Sequence, residues 1–479
     1  MHNMNSLYQK AFAVGAVALL LSTSSCNLFE TEAVTDPNNP SIESVITNAT
    51  QAQINALAIG LEASLRLGHT SNAPNNQIVG TFGREIVVMA GTESRWYTEL
   101  LGTRSAILDD GAFYNAAYTD FSRVRRSAQI FRESANATAV LSTQQKAGAS
   151  GFARTYEALA KLHVLILQGG EGSTDPLMGG IRIDLDNFEK PGRFVTYTAA
   201  LAHIRQLLDD ASIELDQAGT SFGFPLSGGY TDFSTPANFK RFNRALAARV
   251  SLYQKNYLKT IEALGESFYS RTASLALGPK IVFNPSNAGD QGNPYFQLAN
   301  TAAATVVTVP ENFVTEAETG DTRLSKAGLR TAPRQVGTGA TAINGRYEPR
   351  AFASQTTPLD IIRNEELLLI AAEARAMTND LTGAAADINV VRVGAGLAPT
   401  VLTAANALDE VLRQRRYSLF YEGHRWHDLR RTNRLRPEVT PAGVLGAQAQ
   451  TLASSATPFR LYTRMERPSA EKQWDIANP

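Results

Sequence analysis

The sequence predicts a mainly α-helical protein that carries long irregular loops. Ala-rich stretches with apolar residues at helical spacing recur along the chain, and three of them share one coarse pattern. Between them lie segments dense in Gly, Pro, Ser, Thr and Asn that have no helical period. At 479 residues, the chain is long enough for one large helical domain or roughly two to three average ones.

The composition gives no electrostatic reason to expect nucleic acid or an acidic membrane surface as partner. Lys plus Arg equal Asp plus Glu at 45 each. A hydrophobic content of 43% and a charged content of 19% are ordinary for soluble domains, and they argue against disorder or a polytopic membrane protein. Any partner must therefore be selected by local chemistry.

The N-terminal residues have the layout of a secretory signal. Lys10 precedes the apolar run AFAVGAVALLL (11–21), which is too short to span a bilayer, and STSS follows before Cys26. Cys26 is the chain's one cysteine, so neither an intramolecular disulfide nor a cysteine zinc site is available. Small residues before a lone cysteine indicate bacterial lipoprotein processing; the alternative is a secreted protein with an incidental cysteine. We expect residues 1–25 to be a signal peptide and Cys26 to be lipidated.

The body of the chain is expected to follow a short tether. Residues 26–44 are rich in turn-forming residues and predict a linker, which leaves 45–479 for the folded domain. Helical spacing predicts a helix over 48–67 and another over 151–168, the second ending at Gly169, where positive φ is free.

Three segments predict a helix, a short break and a second helix: 197–216, 241–268 and 364–397. In the third, small residues face each other across the turn, as tetratricopeptide-like helical hairpins require. The alternative is that any Ala-rich helical protein shows some self-similarity. Irregular loops are predicted at 169–192, 221–239 and 278–358, and such loops often carry function on a rigid scaffold.

The segment LFYEGHRWHDLRR (419–431) is the richest in chemistry. Asn406, three residues before Asp409, predicts a capping box at the start of the helix that leads into it. If a helix resumes after Gly423, then His424, His427 and Asp428 share one face, which permits a metal site. The alternative, favoured by the excess of arginines, is a knot of ion pairs between Glu422, Asp428 and their arginine neighbours Arg415, Arg416, Arg425 and Arg430.

Other catalytic motifs find little support. GGEG (169–172) has no following Lys-Ser/Thr for a phosphate-binding loop, and no G-x-S-x-G is present. The acidic pairs Asp109–Asp110 and Asp209–Asp210 are sequence neighbours that point apart on a helix, which favours a solvated face.

The C-terminal segment RQRRYSLFYEGHRWHDLRRTNRL closely resembles the signature of the SusD/RagB family of outer-membrane nutrient-binding lipoproteins. Gln414 and Ser418 replace two usual glutamates of that signature. The lone Cys26, the TDPNNPS linker and the stretches GFARTYEALAKLHVLI and FNRALAARVSLYQKNYLKTIEAL extend the resemblance over nearly the whole chain. The matching positions are Arg415, Arg416, Leu419, Glu422, Gly423, Arg425, Asp428, Leu429, Arg430 and Arg431.

This resemblance implies a right-handed superhelix of four tetratricopeptide-like helical pairs with loops that form the ligand face. It implies a protein without catalytic activity or cofactor, anchored on the outer membrane, that hands oligosaccharides or peptides to a SusC-like TonB-dependent transporter. The signature itself would be structural, a knot without a metal. Glu30 and Glu32, soon after Cys26, resemble surface-export signals and favour the cell surface.

Ligand contacts are expected where aromatic rings stand beside Arg or Asn in loops, because sugars need flat apolar faces and fixed hydrogen-bond partners. The first candidates lie in GTESRWYTELLG, a region that in similar proteins contributes to the binding face; Trp96 leads them, although it could equally pack under a loop. The full set of candidates is Arg95, Trp96, Tyr97, Asn293, Tyr295, Phe296, Arg346 and Tyr347. Two other functions stay open, an envelope glycan hydrolase and an adaptor that binds only protein.

Overall fold

The structure is a computed structural model, and it describes residues 46–102, 108–184, 190–287, 290–338, 342–435 and 461–478. The expected signal peptide, Cys26 and the whole of the tether (26–44) lie outside the described residues. Within the described part of the chain, no helix combines the length and the apolar character needed to cross a membrane.

The first part of the fold is helical. Helix α1 (Gln51–Thr70) begins at a capping box formed by Thr50 and Gln53, and α2 (Asn75–Phe82) leads into strand β1 (Val87–Ala90). Two long helices follow, α3 (Ala116–Ala137) and α4 (Thr143–Gln168). The helices predicted over 48–67 and 151–168 are confirmed as α1 and the second part of α4. The chain leaves α4 at Gly169, whose φ of 63° favours glycine.

The next part contains two short strands and three helices. Strands β2 (Ile181–Arg182) and β3 (Phe194–Val195) pair with each other, and α5 (Tyr197–Asp216), α6 (Pro236–Tyr253) and α7 (Tyr257–Gly265) follow. The predicted break in 241–268 is confirmed at Lys255, which has a φ of 58°. The predicted break in 197–216 is wrong. That segment is one helix because it has no Gly or Pro and one continuous buried face.

The segment 278–358 is more regular than predicted. It contains β4 (Lys280–Ile281), β5 (Thr305–Thr308), α8 (Glu311–Thr315), β6 (Ala327–Val336) and β7 (Ile343–Pro349), and β8 (Leu359–Asp360) lies just beyond it. The antiparallel pairs are β1 with β5, β4 with β8, and β6 with β7. The prediction of irregular loops is therefore wrong here. The strands are short or face solvent, so they lack the apolar alternation that reveals a strand in a sequence.

The C-terminal part returns to helices: α9 (Asn364–Met377), α10 (Leu381–Gly394), α11 (Ala407–Ser418), α12 (Arg425–Arg431) and α13 (Ser469–Ala477). The helical pair predicted in 364–397 is confirmed as α9 and α10. Asn406 precedes α11 as predicted, but no capping box forms. Its side-chain oxygen accepts from the Thr403 backbone N–H at 2.8 Å, so it stabilises the preceding turn instead.

Helices that follow each other in the chain pack side by side, from α3 through α7 and again from α9 to α11. Glycines permit close approach between some of them. A Cβ on Gly151 of α4 would lie 2.9 Å from the Ala211 carbonyl oxygen of α5. One large apolar core extends through most of these elements. Most of the elements are helices, which confirms the mainly α-helical prediction.

Candidate functional site

The polar cluster at 419–431 is centred on one buried carboxylate. Asp428 Oδ2 accepts from Arg415 Nε at 2.6 Å, and Asp428 Oδ1 accepts from Arg431 Nε at 2.8 Å. Burial alone would raise the pKa of Asp428, but the two guanidinium groups outweigh it and hold the pKa far below its usual range. Arg431 continues the network to Glu373 of α9 at 2.7 Å.

Arg416 and Arg430 have different partners from those predicted. Glu422 pairs with Arg363, which lies before α9. Arg416 pairs with Glu316. Arg430 donates to the Ile166 and Thr463 carbonyls at 2.6 and 2.9 Å and contacts Glu171 at 3.1 Å. Arg425 is buried as well. Of the predicted pairings, Arg415–Asp428 is present, whereas Glu422, Arg416 and Arg430 pair with residues outside the predicted set.

The two histidines of the cluster do not converge on Asp428. His427 Nε2 lies 2.7 Å from the Tyr197 hydroxyl, and His424 Nε2 lies 3.7 Å from Glu366. Across the described residues, no group of three or more His, Cys, Asp or Glu side chains is placed to hold a metal ion. Trp426 closes the cluster by stacking on Phe82 at 4.6 Å. The ion pairs around Asp428 connect α9, α11 and α12.

An open groove lies among the loops, with a volume of about 830 Å³. No described residue of its lining carries a charge. Three amide side chains and several hydroxyl groups line it beside two aromatic rings and two prolines. The polar lining residues are Gln77, Gln297, Gln355, Ser286, Thr301, Thr305, Ser354 and Thr356, and the aromatic ones are Tyr295 and Phe296. Its chemistry suits a neutral ligand with many hydroxyl groups.

The three predicted ligand-contact segments all lie next to strand β5 or the groove. Thr305 and Val307 of β5 line the groove. The strand pairs with β1, which leads directly into the segment that contains Trp96. Just after β5, the Val309 backbone N–H donates to the Tyr347 carbonyl at 2.9 Å. The candidates thus belong to neighbouring elements, although few of their side chains reach the groove.

The side chains of Arg95, Trp96 and Tyr97 all contact other residues of the protein. The Trp96 ring is buried and lies 5.2 Å from Phe113, so the alternative of packing under a loop fits its position. Arg95 forms an ion pair with Glu93 at 2.7 Å and lies over the Phe113 ring. Tyr97 packs on a small apolar cluster beside β1.

In the second group, Tyr295 and Phe296 line the groove and Asn293 does not. The Asn293 side chain donates to the Thr357 carbonyl at 2.7 Å and accepts from the Tyr295 backbone N–H at 2.8 Å, so it shapes the loop. Tyr295 is buried, and its hydroxyl lies 3.0 Å from His69 Nδ1. Phe296 is half-buried and lines the groove, which makes it the candidate best placed to meet a ligand.

The third group lies on β7. Arg346 is exposed and contacts Glu311 at 3.4 Å, and Tyr347 packs against the core. Neither side chain lines the groove. Sequence reasoning missed the amides Gln77, Gln297 and Gln355. Two of them lie within the predicted loop 278–358, but amides in a loop give no signal of their own.

Gln355 is exposed at the rim, and within the described chain its side-chain amide makes no hydrogen bond. Gln297 differs, because its amide accepts from the Val307 N–H at 2.7 Å and donates to the Val307 carbonyl at 3.2 Å. Gln297 therefore braces β5, while Gln355 keeps a free donor and acceptor for a ligand.

Residues 345–476 match the model of the SusD family. No curated protein matches the sequence. Solved structures do match. A SusD superfamily protein from Parabacteroides distasonis is 14% identical in sequence and has a TM-score of 0.62, over 89% of this chain and 98% of its own. A SusD-like carbohydrate binding protein from Bacteroides vulgatus has 14% identity and a TM-score of 0.61 over 88% and 96%. The B. fragilis protein NanU has 16% identity and a TM-score of 0.61 over 87% and 96%.

The protein has the fold of the SusD superfamily, a helical superhelix with elaborated loops, as the sequence predicted. The resemblance of the C-terminal signature to the SusD/RagB family is supported by the family model over residues 345–476, and the solved structures show the same fold over most of the chain.

Proposed function

We propose that the protein is a non-catalytic lipoprotein of the outer membrane that captures oligosaccharide nutrients and passes them to a SusC-like TonB-dependent transporter. The observation that carries the ligand class is the groove beside β5. Its lining offers Phe296 as a flat apolar surface and Gln355 as a free amide, with hydroxyl groups around them. Sugars are bound by such pairs of aromatic faces and fixed hydrogen-bond partners.

The neutral lining favours oligosaccharides over peptides. A peptide brings terminal charges and charged side chains, and burying these without partners is unfavourable. The described part of the groove lining has no charged residue to meet them. The B. vulgatus relative is named as a SusD-like carbohydrate binding protein, which supports the same choice.

The envelope role rests on the sequence and the family. Residues 1–25 would be removed, Cys26 would carry the lipid, and residues 26–44 would link it to a single domain over 45–479. The cell surface is the proposed location, and the transporter is the proposed partner. Replacing Cys26 by Ala should release the protein from the membrane fraction, and unchanged membrane association would contradict the anchor.

The rival enzyme, an envelope glycan hydrolase, needs two carboxylates about 5–10 Å apart around its substrate. None of the described residues that line the groove is acidic, so the groove favours binding without turnover. Release of reducing sugar from a bound oligosaccharide would contradict this. The rival adaptor, which binds only protein, predicts that no small ligand binds at all.

The first experiment is a calorimetric titration of the chain with a panel of neutral oligosaccharides and peptides. For a bound oligosaccharide, Phe296→Ala should weaken binding by about 1–3 kcal/mol. Leu329→Ala is a suitable control, because Leu329 is exposed on β6 and does not line the groove. Equal losses in both variants, or binding of peptides alone, would overturn the proposal.

A further inference from the structure

A second cavity, here named the α1 cleft, lies between α1, the loop before α6 and strand β4. Its volume is about 320 Å³, and it shares no lining residue with the groove. The rings of Tyr156 and Tyr230 form part of its wall, together with aliphatic side chains. Ile59 and Val282 also line it, yet they remain 54% and 39% exposed. The cleft can therefore cover an apolar group that the protein does not supply.

Both cations in the wall of the α1 cleft already have carboxylate partners. Arg66 Nη1 lies 2.8 Å from Asp290 Oδ1. Lys280 Nζ pairs with Asp360 of the neighbouring strand β8. The positive charges of the wall are therefore compensated within the protein.

Glu62 is the carboxylate of this wall that has no cation partner among the described residues. Its Oε1 and Oε2 accept from the Ser227 backbone N–H at 3.1 and 3.3 Å. Burial raises the pKa of Glu62, and the hydrogen bonds from Ser227 offset only part of this effect. The wall thus contains one partly buried carboxylate without a counter-ion.

The two tyrosines lie within the electrostatic influence of Glu62. Their hydroxyl oxygens are 2.5 Å apart. Burial raises the pKa of both Tyr156 and Tyr230 well above its usual range, and the negative charge of Glu62 adds to this effect. Both hydroxyls therefore stay protonated and neutral.

We propose that the α1 cleft binds a primary ammonium group carried on an apolar body. Glu62 meets the ammonium, and the exposed side chains of Ile59 and Val282 cover the body. A ligand ammonium supplies the counter-ion that this carboxylate lacks, and such charge-assisted hydrogen bonds are strong where water is partly excluded. The cleft is separate from the groove, so this proposal does not depend on the proposed function.

The test is a calorimetric titration of the full chain with benzylammonium and with its neutral counterpart benzyl alcohol. Glu62→Gln keeps the shape of the side chain and the acceptor for Ser227 while removing the charge. It should weaken benzylammonium binding about tenfold and leave benzyl alcohol unchanged. Glu262→Gln is the matched control, because Glu262 is 55% exposed and pairs with Lys259 on α7. It should change neither affinity.

Three further measurements use the same chain. The tripeptide Phe-Gly-Gly with a free amino terminus, compared with its N-acetyl form, tests whether the ammonium of a peptide is accepted as well as that of a free amine. The affinity for benzylammonium should rise as the pH rises through the pKa of Glu62, and Glu62→Gln should abolish that rise. Ile59→Ser should weaken both benzyl ligands. The proposal is overturned if benzylammonium binds no better than benzyl alcohol, or if Glu62→Gln retains the wild-type affinity.

Discussion

Arg415 Nε donates to Asp428 Oδ2 at 2.6 Å, and this bond joins α11 to α12 inside the protein. Both side chains are almost fully buried. Because Arg431 also donates to Asp428 and continues to Glu373, three helices meet through one carboxylate. A buried charge network of this kind fixes the relative positions of helices more than it adds net stability.

The first prediction concerns Asp428. Asp428→Ala should lower the free energy of unfolding by about 3–5 kcal/mol, because Arg415 would lose its buried counter-ion and Arg431 would keep only Glu373. Urea unfolding followed by circular dichroism measures the change. Asp409→Ala is the control, since Asp409 pairs with Arg434 but is 52% exposed, and it should cost less than about 1 kcal/mol. A loss of stability in Asp428→Ala no larger than that in Asp409→Ala would show that this ion-pair network is not needed for stability.

The second prediction concerns Glu85, which is buried without an ion-pair partner among the described residues. Burial raises its pKa to about 7, despite smaller opposing effects from the Tyr421 backbone and Arg425. Since the unfolded value is lower, Glu85 favours the folded state below pH 4.5, and this contribution is lost as the pH rises towards 7.

Glu85→Gln should therefore raise the free energy of unfolding at pH 8, by an amount on the order of 3 kcal/mol, and have little effect at pH 4. Urea midpoints of both proteins across this range measure it. Glu348→Gln provides the contrast. Glu348 is equally buried but pairs with Arg330 and Arg350, so its replacement should destabilise at pH 8. A Glu85 variant that is less stable at pH 8 would show that this carboxylate is stabilised in a way its surroundings do not indicate.

The third prediction concerns His69. Burial lowers its pKa to about 4, from an ordinary value of 6.5. The unfolded chain therefore takes up a proton below pH 6.5 that the folded chain does not, and stability falls as the pH drops towards 4. His69→Gln should flatten this acid-side decline by an amount on the order of 3 kcal/mol between pH 7 and pH 4. Comparing the slopes of unfolding free energy against pH tests it, and identical slopes would contradict the burial of a neutral imidazole.

The sequence predicted the helices better than the loops, for physical reasons. Apolar residues at helical spacing mark a buried face, so α1, the second part of α4 and the pair α9 and α10 were predicted in place. The strand β5 has four residues and gives no comparable pattern. The groove combines Gln77 on α2 with residues more than two hundred positions later, and only the folded chain brings them together.

The candidate ligand contacts show a second limit of sequence reasoning. An aromatic ring in a polar stretch marks a loop but not the direction in which the ring points. Trp96 and Phe296 stand in similar sequence surroundings, yet Trp96 is buried against Phe113 and Phe296 lines the groove. The C-terminal signature was easier to interpret, because charged residues packed so densely around an apolar helix need partners inside the protein.

The last prediction separates these two aromatic residues. Trp96→Ala should lower the free energy of unfolding by about 3–5 kcal/mol, because it leaves a cavity beside Phe113. Phe296→Ala should cost less stability, since its ring is only partly buried, but it should weaken the binding of an oligosaccharide. Measuring unfolding and binding on both variants gives four values. A Trp96→Ala variant that keeps its stability but no longer binds the oligosaccharide would contradict this prediction. It would mean that the Trp96 ring leaves its buried position and contacts the ligand.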